Sequence, residues 1–523
     1  MLMIKQQIQG IINRISFLLE KHKVLMEYSI IMCIIAYFIP MSNYLFNHDS
    51  IVGYYTRFNW LLGQGKWLAP FICKIRGEYY IRYTGIIFGA ISICLINIVI
   101  CMIFNIEKCF DQFIIATLIT MFPSTLVINL YNGLDYFEIT ALLSVLAALF
   151  ITRGGIRNTI IGIILLTLSL GSYQGYVAFT TAILVGKTII DLLNNEPVGN
   201  VMRKGICYVG AVLVSICWYG IILVIALKIT NTSLDSYKGM NRVTDLLNLN
   251  VFVTSIISTL KHAIKYLLDD NLGEKYISTI FCFRLFCVIV ILFVGMVSFS
   301  LIKKREYIRA FLFSILMMGV LPLATNFADF LSQGQSFYFI TAYGMVMIFI
   351  IPLVVISSQR DKGKVNSVMY SAVLVCLTCI VINYFINNNV QYEKARYSSI
   401  QLNTKMTGLV NDIQNAEGYT GKEKVIIVGN APYRFLESSG VYKDAYEHTF
   451  VEGIYTPNQI LCTGQKVCSY INDYFSYDMN CIEYNCEMAK YDDTIEKMGT
   501  YPMKNSINVL EDAVLVRIGD VYK

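Results

Sequence analysis

The residues best placed to do chemistry come just after the first long apolar block. Asn47-His48-Asp49-Ser50 closes that block, and Arg57 and the run Leu62-Gly63-Gln64-Gly65-Lys66-Trp67 follow. A carboxylate at a membrane surface, just outside a helix end, can act as general base toward an acceptor hydroxyl, which makes Asp49 the candidate base. Arg57 and Lys66 could hold a phosphate, Arg57 by two parallel hydrogen bonds and Lys66 as a point charge. A blander reading also fits, because Asn and Asp cap interfacial helices and basic residues there meet lipid head groups. Spacing alone leaves both open.

Three further loops are polar. In Asn129–Glu138 the acids Asp135 and Glu138 are three apart, so they would share one helical face at the membrane edge and could bind a sugar or a cation. The competing role is dipole placement in a first helical turn. The turn Gly171-Ser172-Tyr173-Gln174-Gly175-Tyr176 joins two apolar blocks with almost no loop. Tyr173, Gln174 and Tyr176 could stack on and hydrogen-bond a sugar, or belong to an interfacial aromatic belt. Asn326, Asp329, Gln333 and Gln335 give a weaker signal of the same kind. The four histidines, His22, His48, His262 and His448, include no metal-spaced pair. No Walker A or GxSxG sequence occurs, and Gly63-Gln64-Gly65 is too short for a nucleotide loop.

The elements that must position these residues are membrane helices. The chain has 523 residues, 56% hydrophobic and 15% charged, with mean hydropathy +0.56. The apolar residues form long blocks, and a bilayer core about 30 Å thick needs roughly 20 of them per helix. Blocks at about 25–45, 84–105, 110–127, 137–152, 158–172, 175–191, 206–227, 277–301, 307–323, 336–357 and 366–387 give eleven spans. Lys and Arg, from Lys21 and Lys23 to Arg360, Lys362 and Lys364, fall in alternate connections, which places the N-terminus in the cytoplasm and the tail outside. Residues 1–24 are then a cytoplasmic segment and 25–390 the membrane domain. The outer loops 46–83 and 228–276 carry apolar residues at helical spacing and should lie along the membrane surface. Charges inside the spans are few, with Glu27 and Arg284 near span ends.

The tail, 391–523, differs in texture. Residues 392–417 read as a polar helix, and Lys424–Gly429 and Ala513–Ile518 read as strands, so a small α/β domain is expected. Of fifteen cysteines, eleven lie in or beside apolar blocks. Cys462, Cys468, Cys481 and Cys486 lie in the tail, where one or two disulfides would suit an extracytoplasmic domain in any of three connectivities. No CxxC pair points to zinc.

The order of these motifs resembles the Gtr-type bacterial glucosyl transferases that modify surface polysaccharides. The resemblance rests on Asp49 at the end of the first span, Arg57, the Gly63-Gln64-Gly65-Lys66-Trp67 element, Met121-Phe122-Pro123, Asp135 and Ser169–Tyr176. In the tail it rests on Met498–Pro502, Ser506-Ile507 and Val514–Arg517. It covers most of the chain. Two departures stand out: His48 precedes Asp49 where relatives often have a second acid, and Lys66-Trp67 replaces an Arg-Trp pair. The first puts in doubt any role needing two carboxylates. The resemblance implies a GT-C-like helical bundle with its catalytic loops outside the cytoplasm. It also implies a polyprenyl-phosphate sugar donor, glucose first among candidates, and a cell-surface glycan acceptor. His48, Trp67, Asp135, Glu138, Tyr173, Gln174 and Tyr176 would then contact the sugars. A leaving group with a single phosphate makes a metal less necessary, so no cofactor is expected. The implied partners are the lipid donor, the glycan, membrane lipids, a small flippase and a donor-synthesising glycosyltransferase, with no nucleic acid. The competing class is a transporter or lipid-linked sugar flippase. A polymerase or ligase of surface glycans would need a larger cationic outer cleft.

Overall fold

The computed structural model describes residues 20–47, 58–75, 82–131, 136–235, 245–269, 277–333, 338–430, 460–461, 463–474 and 479–520. His48, Asp49, Arg57, Asp135 and Cys462 lie outside them. The chain divides into two units: Met1–Phe38, Thr56–Ile128 and Leu134–Asn388 form one, and Ile39–Tyr55, Asn129–Gly133 and Asn389–Lys523 the other.

The first unit is a helical bundle of the kind expected of a GT-C-like polytopic protein. Its helices are α1 Lys23–Ser42, α2 Phe58–Gly63, α3 Ala69–Ile75, α4 Arg82–Phe104, α5 Cys109–Met121, α6 Pro123–Leu130, α7 Tyr136–Arg153 and α8 Ile156–Ser172. They continue as α9 Val177–Leu193, α10 Val198–Thr230, α11 Leu249–Leu268, α12 Ile277–Lys303, α13 Tyr307–Ile315, α14 Leu321–Thr325, α15 Phe327–Leu331, α16 Met347–Gln359 and α17 Lys364–Gln414, whose residues from Asn389 on belong to the second unit. Among the described residues, eleven helices are long and apolar enough to cross a membrane. The chain is therefore a multi-pass membrane protein.

The eleven differ from the expected set by one exchange. Residues 249–268 qualify by composition, whereas α8 falls short at 17 residues. Packing explains both. α8 folds back against α7 through Gly154-Gly155, both at positive φ. α11 meets one end of the bundle along its whole length. Phe252 packs on Phe330 with centroids 5.5 Å apart, His262 bonds Asp329, and Tyr266 packs on Phe339 at 6.1 Å. All three partners belong to the connection between α14 and α16. α11 is thus tied to that one connection at three points along its length.

That end is called the loop face here. The basic residues of the alternate connections gather at the other end, where carboxylates answer some of them. Lys204 binds Asp191 at 3.0 Å and Glu196 at 2.7 Å. Asp111 accepts from Ser357 at 2.6 Å and from Tyr370 at 2.5 Å, with Lys108 and Arg360 over the Tyr370 ring. Pro123 splits one span into α5 and α6, because Phe122 must be extended before proline (φ −58°, ψ 139°). The Thr125 hydroxyl donates to the carbonyls of Thr120 and Phe122, both at 2.8 Å, which helps to satisfy the backbone at the break in a setting without water.

In the second unit the strands are β1 Lys424–Val428, β2 Cys481–Glu483, β3 Ile507–Val509 and β4 Ala513–Arg517, with helices α18 Gly464–Tyr474 and α19 Asp492–Lys497. The sheet order is β2-β1-β4-β3. β1 is parallel to β2 and β4, and β3 is antiparallel to β4. Val425, Ile427, Val514 and Val516 face Leu402, Leu409, Ile413 and Ile471. Ile426, Val428 and Leu515 face Tyr491 and Ile495 on the other side. Both faces are covered, as parallel strands require. Cys468 and Cys481 are buried thiols with their Sγ atoms 2.9 Å apart, and Cys486 is exposed.

Candidate functional site

The described candidate residues converge on the turn after α2. The Gly65 amide donates to the Leu62 carbonyl at 2.8 Å and the Lys66 amide to that of Leu61 at 2.9 Å. Gly65 has φ +77°. This paired 5→2 and 6→1 bonding is a Schellman stop, and it needs the left-handed conformation that glycine adopts freely. The Gly-x-Gly element is thus a helix terminator that fixes where Lys66 and Trp67 emerge.

Lys66 is buried. Its ammonium donates to Gln64 Oε1 at 2.7 Å and lies 5.3 Å from the Tyr173 ring centroid and 6.0 Å from those of Phe137 and Trp60. Aromatic faces attract a cation electrostatically, and more so where water is excluded. Phe137 and Tyr173 stack at 4.1 Å, and Tyr176 meets both edge-on. Tyr176 also meets Tyr343 at 5.8 Å. The result is an aromatic box around one cation.

Gln174 clamps the turn from the next connection. Its side-chain amide donates to the Gly65 carbonyl at 2.9 Å, the Gln64 carbonyl at 3.4 Å and the Tyr219 hydroxyl at 2.8 Å. Tyr219 donates to the Gly65 carbonyl at 3.1 Å. Trp67 lies flat against Gly171: a Cβ there would stand 2.3 Å from Trp67 Cε2. The indole Nε1 is buried with no hydrogen-bond partner among the described residues.

Glu138 lies in the first turn of α7, as a favourable dipole position requires. It is 2% exposed, and its carboxylate is lodged where a Cβ on Gly89 of α4 would come within 3.1 Å. Tertiary packing places it, through a glycine that sequence spacing cannot pair with it.

Sequence reasoning missed Gln64 and Tyr219 as members of this site, and assigned no role to His262. It gave Asp329 only weak weight. His262 Nδ1 lies 3.0 Å from Asp329 Oδ2. Burial pushes the Asp329 carboxyl up from its ordinary value, and hydrogen bonding to His262 pulls it back. The described residues contain no cluster of three or more metal-ligating side chains.

The family described as glucosyl transferase GtrII matches residues 38–349, more than half of the chain. No curated protein and no solved structure matches.

Proposed function

The chain belongs to the GtrII glucosyl transferase family and is a membrane glycosyltransferase, and from that premise we propose the reaction it performs. It moves a hexose, glucose first, from a polyprenyl-phosphate donor to a cell-surface glycan on the outer side of the membrane. The acceptor hydroxyl attacks the anomeric carbon while the bond from that carbon to the phosphate oxygen breaks. Asp49 takes the hydroxyl proton, and the bonding electrons leave on polyprenyl phosphate. Arg57 and Lys66 stabilise the phosphate. His48, Trp67, Asp135, Glu138, Tyr173, Gln174 and Tyr176 orient the sugars.

Lys66 is the observation that carries this reading. A buried ammonium in an aromatic box, on a turn gripped through its carbonyls, combines charge for a phosphate with flat faces for a sugar ring. The test is transfer by purified protein in detergent, where a transporter or flippase would do nothing. Asp49→Asn should lower transfer by about 10²–10⁴-fold. Near wild-type transfer by a folded Asp49→Asn protein would remove the base assignment.

We also place the loop face and the C-terminal unit outside the cytoplasm, on the asymmetry of Lys and Arg. Exposed Cys486 should then react with a membrane-impermeant maleimide in intact cells, and the labelled peptide that holds it should be lost in Cys486→Ser. Labelling that needs cell lysis would reverse the orientation. The C-terminal α/β unit recognises the glycan acceptor. Unchanged acceptor choice after deletion of 392–523 would exclude that role.

A further inference from the structure

Beyond the Lys66 turn, α11 and α15 enclose a carboxylate–imidazole pair. The Asp329 side chain is 4% exposed and that of His262 is 26% exposed, so the acid lies inside and the ring reaches the surface. An ionised Asp329 accepts the Nδ1 proton at 3.0 Å. In the neutral ring that tautomer keeps the lone pair on Nε2, which can then accept a hydrogen bond.

Asn326 Nδ2 beside the pair is buried with no hydrogen-bond partner among the described residues, and the Thr259 hydroxyl is within hydrogen-bonding reach of the Asp329 carboxylate. Thr259 precedes His262 by one helical turn. Asn326 precedes Asp329 by one turn, and its carbonyl accepts the Asp329 amide at 3.0 Å. Unpaired buried groups lower stability, so a purely structural seam would be better filled with apolar side chains. A seam of acceptors and donors matches a sugar hydroxyl, which has one proton to give and two lone pairs to offer. Phe252 stands one face of α11 away, 40% exposed and edge-on to Phe330. The other side of α15 turns Phe327 and Leu331 into the cluster that holds Leu62, Trp67 and Tyr219. One short helix therefore joins the pair to the turn that presents Lys66.

We propose that His262, oriented by Asp329, is a saccharide-binding residue of the transferase, with Nε2 accepting a hydrogen bond from one hexose hydroxyl. This rests on the transferase reading but not on the role given to Asp49. Asp329 is the positioning residue. The hydroxyl belongs to the donor hexose or to the acceptor glycan, and the two arms of the experiment separate these.

Full-length wild type, His262→Ala, His262→Gln and Asp329→Asn are assayed with polyprenyl-phosphate glucose and its 2-, 3-, 4- and 6-deoxy analogues, and with purified surface glycan as acceptor. On wild type, one deoxy donor should lose about ten- to a hundredfold in kcat/KM. His262→Ala should show the same loss with the parent donor and no further loss with that analogue. His262→Gln should recover part of the activity, and Asp329→Asn should move toward His262→Ala. If the hydroxyl is the acceptor's, the loss appears in the acceptor KM and the deoxy donors stay alike. A folded His262→Ala protein with wild-type kcat/KM for every substrate overturns the proposal. So does a loss that is equal for all deoxy donors and leaves the acceptor KM unchanged. No turnover by wild type defeats the transferase reading instead. Tryptophan-fluorescence titrations with polyprenyl-phosphate glucose and with the purified surface glycan then decide: about tenfold weaker binding of either one by His262→Ala supports the residue's role, and equal binding of both overturns it.

Discussion

Gly171→Ala sets two ordinary effects against each other at the turn that presents Lys66. Alanine in place of a helical glycine is favourable by about 0.5–1 kcal/mol. Gly171 lies in the last turn of α8, so propensity alone predicts a more stable protein with unchanged activity. The packing predicts the opposite. The new methyl would stand 2.3, 2.4 and 2.9 Å from Trp67 Cε2, Cζ2 and Cδ2, whereas ordinary contact starts at 3.4 Å. The indole must retreat by about 1 Å, and overpacking of that kind costs about 1–3 kcal/mol. The net effect is a loss of up to about 2 kcal/mol. The shift passes along the chain, because the Leu68 amide is bonded to the Gly171 carbonyl at 2.8 Å and Lys66 precedes Trp67. A displacement of about 1 Å in a positioning element can lower a rate about 100-fold. Transfer of labelled hexose from polyprenyl-phosphate glucose in detergent should fall by that order, with a lower melting temperature. Adding Trp67→Phe to Gly171→Ala should return the melting temperature, because the smaller ring leaves room for the methyl. A Gly171→Ala protein that melts and transfers like wild type would refute the argument that this contact sets the turn.

Three other expectations follow from the same geometry. Gln174→Ala removes a side chain bonded to two carbonyls and a phenol, so it should cost about 1–3 kcal/mol in a thermal melt; an unchanged melt would show that Tyr219 alone holds the turn. Lys66→Met keeps much of the packing and removes the charge, so the donor KM should rise about ten- to a hundredfold if the ammonium meets the phosphate; an unchanged KM would take that role away. Oxidised glutathione should convert Cys468 and Cys481 to one disulfide with release of two reduced glutathiones, while exposed Cys486 forms a mixed disulfide; peptide mapping that finds Cys468 still alkylatable would count against that pairing.

The spans were legible because a bilayer demands long apolar blocks, and β1 and β4 because short apolar runs flanked by turn residues stand out in a polar tail. Three features were not. α11 has the composition of a crossing helix, and no sequence pattern pairs it with Phe330, Asp329 and Phe339, which it contacts in the structure. α17 reads in sequence as a span followed by a separate polar helix, broken near Asn387-Asn388-Asn389. In the structure it is one helix of 51 residues, because polarity changes there while no proline interrupts the backbone bonding. The clamp on the Lys66 turn works through the carbonyls of Gln64 and Gly65, which no side-chain pattern records. Its second donor, Tyr219, sits in a block where any tyrosine reads as apolar filling. Lys66, Trp67, Tyr173, Gln174 and Tyr176 could be singled out because they are the polar and aromatic residues of two short connections between apolar blocks, and the structure brings them together.

The placement of α11 has a kinetic consequence. Phe252, Val253, Ile257, Ile264 and Leu268 are all exposed along it, with Lys261 and Lys265 exposed among them. Such a fringe is wetted by hydrocarbon and makes the loop face a shoreline rather than an open mouth. The lipid-linked donor proposed above would then arrive sideways, by lateral diffusion, and never as a solute. Its effective abundance is then a mole fraction among neighbouring lipids. Adding inert lipid at fixed volume would slow the encounter, and adding buffer at fixed lipid would leave it alone.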